Sequence, residues 1–391
     1  MNIFSRAVHR GDRRKPGQQI PVTTPIYAAA SFFYDDIRTI DQVFSQEVAG
    51  YVYSRYDNPT NSALEELAAN LEGGAGALAT ASGMAAIKLA LEAALLERPK
   101  VVLAATALYG ATLKLLQLME PFGCTVHYVD VCDVSAVKGQ LDRLRPGALL
   151  MESISNPMLR VGPLDEIAQL CKARGVPLLV DSTFATPLVL RPLELGANLV
   201  IHSATKYLSG HGDVLGGLVI ADAEHLPVLR SLSQVAGPVM SPFEAYLTMR
   251  GMKTFPLRME RQCHNAIRVA EGLRGHPRIA RVIHPSDPQH PDRTVIERLM
   301  PPQLNGAIVS FEIREAGQEE VFAFLNRLKM VVPATSLGDV HSMLLYPAIS
   351  SHRDLSPRQR ERQGITPGLV RLSTGIEAAE DILADLTQAL S

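Results

Sequence analysis

One segment carries most of the information in this chain: Ile201-His202-Ser203-Ala204-Thr205-Lys206-Tyr207-Leu208-Ser209-Gly210-His211-Gly212-Asp213. Lys206 follows an apolar run that is predicted as a strand over residues 197–201, and Ser203 and Thr205 place hydroxyl groups beside it. Small residues let the backbone approach a flat ligand, hydroxyls can bind a phosphate, and a lysine amine can form a Schiff base with an aldehyde cofactor. A single lysine is more often a solvated charge, so a second element is needed to decide between these interpretations.

That second element is Asp181, which ends the apolar run Leu178-Leu179-Val180. In an open α/β sheet, a side chain at the carboxyl end of a strand faces the ligand crevice. Pyridoxal 5′-phosphate (PLP) needs a carboxylate beside its ring nitrogen, because the anion keeps the nitrogen protonated and the ring able to accept electrons. Helix capping is the ordinary role of a lone aspartate at such a position. Together with Lys206, however, Asp181 predicts a PLP site in which both residues are catalytic.

Outward from this segment, the sequence divides into three parts. Residues 59–244 alternate apolar strands with amphipathic helices, which predicts a doubly wound α/β domain with a mostly parallel sheet. Residues 245–391 combine a long helical pattern with alternating strands such as 307–313 and a final helix over 379–390, which predicts a smaller α+β domain with half-buried antiparallel strands. Residues 1–58 show no sustained helical period and are predicted to form an arm that packs on its own body or on a neighbouring subunit.

Composition excludes several classes of function. Of 391 residues, 47% are apolar and 20% are charged, and the formal net charge is −2, so no basic face for nucleic acid or an anionic membrane is expected. The longest apolar run, residues 101–108, is far shorter than the roughly 20 residues that a membrane span needs. The four cysteines are widely spaced and are predicted to be reduced thiols. We therefore expect a cytoplasmic protein with neither nucleic-acid nor membrane partners.

Two other patterns point to different chemistry and are set aside. Gly74-Ala75-Gly76-Ala77-Leu78-Ala79 fits a dinucleotide-binding fingerprint, but that motif follows a strand, whereas a helix predicted to begin at Asn58-Pro59-Thr60 precedes it here. We interpret its glycines as a helix end. A metal hydrolase could use His202, His211 and Asp213, but these residues lack the spacing of a helical zinc site, and we predict no metal.

The segments 180–187 and 202–213 resemble the signature of the Cys/Met-metabolism family of PLP-dependent enzymes, and the resemblance runs from about residue 20 to the end of the chain. That family contains cystathionine γ-synthase, cystathionine γ- and β-lyases, methionine γ-lyase and the homoserine sulfhydrylases. The resemblance implies a large domain of the aspartate-aminotransferase type (fold type I), an amino-acid substrate, and a homo-oligomer built from active-site dimers, usually a tetramer. The cofactor-binding residues that it implies are Gly83, Met84, Tyr109, Asp181, Thr183, Ser203, Thr205 and Lys206, with Tyr53 and Arg55 supplied by the adjacent subunit.

The resemblance also implies a role for each substrate-facing residue. Tyr109 is expected to stack on the cofactor ring and to move protons to or from the leaving group. Arg371 is expected to grip the substrate α-carboxylate, for which a bidentate guanidinium suits better than an ammonium. Ser336 should assist Arg371, and Asn156 should face the phenolic oxygen of the cofactor and the substrate carboxylate. Lys206 would move the Cα proton.

The exact reaction stays open, because elimination and replacement at Cγ use the same groups. We expect a carbon–sulfur lyase acting on methionine or cystathionine-type substrates, with γ-replacement on an activated homoserine as the alternative. Thr335 stands where cystathionine γ-lyases and synthases commonly have a glutamate, Ala111 where methionine γ-lyases usually have a cysteine, and Gln262 where a histidine is common. A non-catalytic protein with this fold is a further alternative, which the joint presence of Lys206 and Arg371 disfavours.

Overall fold

The structure is a computed structural model that describes residues 1–10, 20–353 and 356–391, so that residues 11–19 of the predicted arm lie outside the described residues. Two β-sheets organise the chain. The first sheet contains β1 (Gly76–Thr80), β2 (Val101–Ala105), β3 (Thr125–Val129), β4 (Ala148–Glu152), β5 (Leu178–Asp181), β6 (Leu199–Ser203) and β7 (Gly217–Ala221). The second sheet contains β8 (Ile279–Ile283), β9 (Ile308–Ile313), β10 (Val332–Pro333), β11 (Met343–Leu345) and β12 (Leu369–Ser373).

Helices precede, separate and follow these strands. The α-helices are α1 (Ile3–His9), α2 (Ile37–Phe44), α3 (Pro59–Glu72), α4 (Gly83–Leu95), α5 (Gly110–Met119), α6 (Val134–Leu144), α7 (Leu164–Lys172), α8 (Thr186–Val189), α9 (Leu226–Ala236), α10 (Pro242–Leu273), α11 (Arg293–Leu299), α12 (Gln318–Arg327), α13 (Pro357–Arg362) and α14 (Ala379–Leu390). Short 3₁₀ turns lie at Glu120–Phe122, Pro192–Leu195 and Pro347–Ile349. In the part of the chain that the structure describes, no helix is long and apolar enough to span a membrane.

The first sheet is mostly parallel, as predicted. Its strand order is β1-β7-β6-β5-β4-β2-β3, and β7 alone runs antiparallel to its neighbours. Consequently β2, β4, β5 and β6 end at the same edge of the sheet, where parallel α/β folds bind their ligands. The fold class predicted from the sequence, a parallel α/β unit joined to a smaller sheet domain, is confirmed.

The ends of α3 follow from local chemistry. The Asn58 side chain accepts a hydrogen bond from the Thr60 N–H, and Pro59 occupies the first turn, which confirms the predicted helix start. Gly73 ends the helix in the left-handed region with φ 78°. The glycine-rich segment at 74–79 therefore leads from a helix into β1, in the opposite order to a dinucleotide-binding motif.

The second sheet differs from the prediction of half-buried strands. Its central strands, β9 and β12, are buried on both faces. Val309 and Phe311 join a core with helices α10, α12 and α14, whereas Ile308 joins the core of the large domain. The Ser310 hydroxyl donates to the Pro157 carbonyl at 2.6 Å. The prediction is wrong for these strands because the face that an isolated domain would expose to solvent lies against the large domain.

The arm contains two helices, α1 and α2, although its sequence shows no sustained helical period. Helix α1 lies against α10 and α3, with Ala7 fully buried and the Arg6 guanidinium donating to the Asn70 carbonyl. Other apolar arm residues are exposed in the single chain, among them Val22 at 74% and Phe33 at 85%. Their packing on a neighbouring subunit stays a prediction.

A buried arginine of α10 holds the loop that carries Lys206. The Arg258 guanidinium donates from Nη1 to the Tyr207 carbonyl at 2.9 Å, and from Nη2 to the carbonyls of Leu208 at 3.2 Å and Gly251 at 2.8 Å. Burial lowers the pKa of Arg258 to about 10. Because a guanidinium carries five N–H donors in a rigid fork, one side chain satisfies several buried carbonyls at once.

We expect Arg258→Lys to lower the free energy of unfolding by about 2–4 kcal/mol, because an ammonium group reaches fewer carbonyls and each unpaired buried group costs about 1–3 kcal/mol. Urea denaturation of the cofactor-free protein would measure the loss. The matched control is Arg268→Lys, since Arg268 is 51% exposed and lies 3.3 Å from Glu380. The control should change stability by less than about 0.5 kcal/mol. An equally small change for Arg258→Lys would contradict the assigned role.

Candidate active site

A cavity of about 980 Å³ opens at the carboxyl edge of the large sheet and is closed on its other side by the small domain. It brings together all but two of the site residues predicted from the sequence. Those that line it are Gly83, Met84, Tyr109, Asn156, Asp181, Thr183, Ser203, Thr205, Lys206, Ser336 and Arg371. Tyr53 and Arg55 are absent from this lining.

Lys206 lies in the loop that follows β6, and it lines the cavity. Its Nζ donates to the Ser336 hydroxyl at 2.9 Å, which joins the large domain to a loop of the small one. Burial, helped by the positive charge of Arg371, lowers the pKa of Lys206 to about 8. More of the amine is therefore neutral near neutral pH than in an ordinary lysine, and a neutral amine can act as nucleophile or base.

Asp181 ends β5 at the floor of the cavity. One of its oxygens accepts the Thr183 N–H at 3.0 Å, and the Thr183 hydroxyl accepts the Ser203 N–H at 2.9 Å. Burial raises the pKa of Asp181, and the hydrogen bonds from Thr183 oppose that rise. A half-buried carboxylate with unused lone pairs is suited to hold a cationic N–H group of a ligand.

Glu152 is a cavity residue that the sequence interpretation missed. It ends β4 and pairs in register with Asp181 on β5, so two carboxyl groups lie side by side at the sheet edge. Burial and the neighbouring Asp181 raise the pKa of Glu152 to about 8. The signal for it was the one that identified Asp181, namely an acidic residue directly after an apolar strand.

The first turn of α4 faces Ser203 across a narrow gap. The Ser82 hydroxyl caps the helix by accepting the Ala85 N–H at 3.1 Å, which leaves the first N–H groups of the helix directed at the cavity. A Cβ added at Gly83 would lie 2.9 Å from the Ser203 Cβ, closer than side-chain carbons approach. The glycine thus keeps open a space where helix N–H groups can meet an anion such as a phosphate. The Thr205 hydroxyl is engaged with the Gly216 main chain in this structure.

Arg371 projects from β12 of the small sheet into the cavity. Its Nη1 donates to the Asn156 side-chain oxygen at 3.0 Å, and its Nη2 donates to the Ser336 carbonyl at 3.2 Å. Within the described residues, its buried Nε has no hydrogen-bond partner. Burial lowers the pKa of Arg371 to about 10. A buried guanidinium with an unused donor is a natural binding group for a carboxylate.

Tyr109 and the pair Tyr53–Arg55 occupy more exposed positions. Tyr109 precedes α5, lines the cavity and is 40% exposed as a residue. The guanidinium carbon of Arg55 lies 4.7 Å from the ring centre of Tyr56 and 5.5 Å from that of Tyr53, and the group donates to the Gln234 carbonyl. The two arm residues therefore form their own surface cluster and do not reach the cavity of the same chain.

Gln262 and the histidines considered above as metal ligands make contacts that maintain the structure. Gln262 is buried in α10 and donates to the Asp339 carbonyl at 2.6 Å, so it holds the loop that carries Ser336. His202 is buried against Glu72 at 2.6 Å, whereas His211 bonds to the Ser209 carbonyl. Across the described ranges, no group of three or more histidines, cysteines or acids is arranged to hold a metal ion.

Residues 5–391 match the protein family described as Cys/Met metabolism PLP-dependent enzyme. The chain is 41% identical over 370 residues to an L-methionine γ-lyase of Fusobacterium nucleatum subsp. polymorphum, which covers 94% of this chain and 92% of that protein. It is 38% identical over 391 residues to an L-methionine γ-lyase of Pseudomonas putida, covering 99% and 96%. The solved structure of cystathionine γ-synthase from Xanthomonas oryzae pv. oryzae in complex with cystathionine has a TM-score of 0.92 at 36% identity, covering 100% of this chain and 98% of that one.

We expect Gly83→Ala to weaken PLP binding by about tenfold or more, because fitting the new methyl group against Ser203 costs about 1–3 kcal/mol. Titration of the cofactor-free protein with PLP, followed by visible absorption, measures the dissociation constant. Gly139→Ala in α6 is the matched control, since nothing lies within 4 Å of the added carbon. Equal affinities for the two variants would show that the gap at Gly83 does not hold the cofactor.

We also expect the Lys206 amine of the cofactor-free protein to titrate with a midpoint near pH 8, as its lowered pKa requires, against about 10.4 for an ordinary lysine. Burial disfavours the ammonium form, so the proton leaves at lower pH. Acetylation at a series of pH values, quantified by mass spectrometry, measures the midpoint. Arg371→Gln should move it upward, because a repelling positive charge is removed. A midpoint above pH 10 in the unmodified protein would contradict the partly buried position of the Lys206 amine in the cavity.

Proposed function

Because the chain belongs to the Cys/Met metabolism family of PLP-dependent enzymes, we propose that it is a carbon–sulfur lyase acting by γ-elimination. Its substrate would be methionine or a cystathionine-type amino acid, and its products a 2-oxo acid, ammonia and a thiol. The similarity to L-methionine γ-lyases over nearly the whole chain supports the proposal. The proposal rests on the charged side chains that line the cavity, since they match an amino-acid substrate whose distal end carries no negative charge.

The cavity residues fit PLP. The N–H groups at the start of α4, with the hydroxyls of Ser203 and Thr205, would hold the phosphate. Asp181 would hold the ring nitrogen, and Lys206 would hold the aldehyde carbon. Bound in this way, PLP supplies an electron sink that stabilises negative charge on the substrate carbon beside the amine.

The remaining residues of the cavity would bind substrate and move protons. Arg371 would grip the α-carboxylate with its unused donor, and Asn156 would keep the guanidinium in place through the bond to its Nη1. When it is not bound to the cofactor, the free amine of Lys206 would take the Cα proton and return it at another carbon, and its lowered pKa favours this role. The Tyr109 hydroxyl would give a proton to the departing sulfur.

The charges favour a substrate whose distal end is uncharged or positive. Among the lining residues that the structure describes, Lys206 and Arg371 are the only lysine or arginine side chains, and the proposed mechanism uses both. Asp213 and Asp339 are acidic groups of the same lining. A succinyl ester of homoserine would bring a second carboxylate without a cation of this chain to pair it, and an unpaired buried charge is costly. The thioether of methionine carries no such charge.

γ-Replacement is the second candidate. In this reaction an activated homoserine loses its ester group and accepts a thiol at Cγ, with the same residues in the same roles. The structural similarity to a cystathionine γ-synthase favours it. Thr335, also part of the lining, brings no charge at a position where a glutamate would add an acid.

We also propose that two chains complete each site. Tyr53 and Arg55 lie outside the cavity of their own chain, and apolar arm residues such as Phe33 are exposed. A neighbouring subunit that covers the arm would bring both residues to its own phosphate site, as expected for a dimer of active-site dimers. The cytoplasmic location expected from the sequence stays a prediction.

To test the proposed function, the PLP-loaded enzyme would be given L-methionine, L-cystathionine, L-cysteine, and O-succinyl- or O-acetylhomoserine with and without a thiol. We expect 2-oxobutyrate and ammonia from methionine or cystathionine. Lys206→Ala should abolish turnover, whereas Lys172→Ala, at an exposed position of α7, should not. Turnover of the homoserine esters only when a thiol is present would replace the lyase with the γ-replacement enzyme. A colourless protein that PLP cannot reconstitute would overturn both.

A further inference from the structure

We propose that Glu152 is a positioning residue that sets the backbone of Tyr109 and Asn156 on two sides of the active-site cavity. The kinetic part of the proposal rests on the proposed function, whereas its structural part concerns the chain alone. Glu152 carries no role in the reaction as described above, yet it is a buried carboxylate at the cavity wall.

The geometry links two loops, one after β2 and one after β4, through one side chain. Glu152 Oε1 accepts the Tyr109 N–H at 2.6 Å, and Oε2 accepts the Asn156 N–H at 3.2 Å. Tyr109 precedes α5 after strand β2, whereas Asn156 lies in the turn after β4. Asn156 then accepts from Arg371 at 3.0 Å, so the link continues into the small domain.

The arrangement needs two acceptor oxygens in one group. Both oxygens of a carboxyl group can accept, in the ionised and in the protonated form, whereas a glutamine amide offers one oxygen and an NH₂ group that would face the second N–H. Burial and the neighbouring Asp181 raise the pKa of Glu152, whereas the hydrogen bonds from the Tyr109 and Asn156 N–H groups lower it. Burying this carboxyl group costs free energy. The two hydrogen bonds that it accepts from the main chain are therefore its role at this position.

The first test needs neither cofactor nor turnover. In the cofactor-free protein, hydrogen exchange measured by mass spectrometry should show the amides of Tyr109 and Asn156 exchanging about tenfold faster or more in Glu152→Gln than in the unmodified chain, a factor that corresponds to about 1.4 kcal/mol. If Glu152→Gln does not fold, Glu152→Asp replaces it, because aspartate keeps both oxygens on a stem one methylene shorter. Unchanged exchange at both amides would overturn the proposal.

The matched control is Asp385→Asn in α14. Asp385 is a buried carboxylate that likewise accepts main-chain N–H groups, those of Lys329, Met330 and Val331, but it does not line the cavity. Its variant should accelerate exchange at residues 329–331 and leave Tyr109, Asn156 and kcat unchanged. Faster exchange at Tyr109 in this control would mean a general loss of stability and would overturn the specific role of Glu152.

The second test is a double-mutant cycle on the loaded enzyme. Glu152→Gln should lower kcat by about tenfold or more in the otherwise unmodified enzyme. In the Tyr109→Phe variant it should lower kcat by less than about threefold, because the hydroxyl that Glu152 positions is already absent. Additive losses would contradict action through Tyr109. If the unmodified enzyme turns over no substrate while exchange still responds to Glu152→Gln, the proposed function fails and the positioning role stands. If the enzyme turns over substrate but exchange does not respond to Glu152→Gln, the proposed function stands and the positioning role fails.

Discussion

A guanidinium buried between two sheets sets the geometry of this active site. Arg371 lies on β12 opposite Ser310 of β9, so both residues face the large domain. Its bonds to Asn156 and to the Ser336 carbonyl tie the small sheet to the turn after β4 and to the loop that contacts Lys206. Because a buried cation must have its donors satisfied, the two domains have little freedom to shift relative to each other without a cost in free energy. The buried Nε of Arg371, which has no partner within the described residues, can donate to a carboxylate.

The cavity shifts four ionisable groups toward their neutral forms. Burial raises the pKa of Glu152 and Asp181 and lowers the pKa of Lys206 and Arg371. In the absence of ligands, the charged forms of these four groups therefore cost free energy in the cavity. A phosphate-bearing cofactor with a cationic ring and an amino-acid zwitterion would supply opposite charges to several of these groups. The electrostatics thus agree with the family to which the chain belongs.

Two residues behind the cavity, Arg258 and Gln262, and one residue of its lining, Glu152, hold the wall in place through main-chain contacts. Arg258 binds the carbonyls of the loop after Lys206, Gln262 binds the Asp339 carbonyl beside the loop of Ser336, and Glu152 binds two N–H groups. None of these contacts depends on the identity of the side chains that face the substrate. Members of one family can therefore keep the machinery while positions such as Thr335 vary, which is why family membership leaves elimination and replacement open.

The sequence by itself determined the parallel sheet and the positions of Lys206 and Asp181. Each of these residues follows an apolar strand, and parallel strands bring their carboxyl ends to one edge whatever the rest of the chain does. The final helix, predicted over 379–390, also matches α14, since its pattern of apolar residues is local.

Only the tertiary structure decided the role of Glu152, the burial of both faces of β9 and β12, and the packing of α1. Local patterns act over a few residues, whereas these features depend on partners far away in the chain. Glu152 meets Tyr109 from a different strand, and Ile308 meets the core of another domain. Burial and hydrogen bonding are set by whatever surface finally covers a residue, and that surface exists only after the two sheets have packed together.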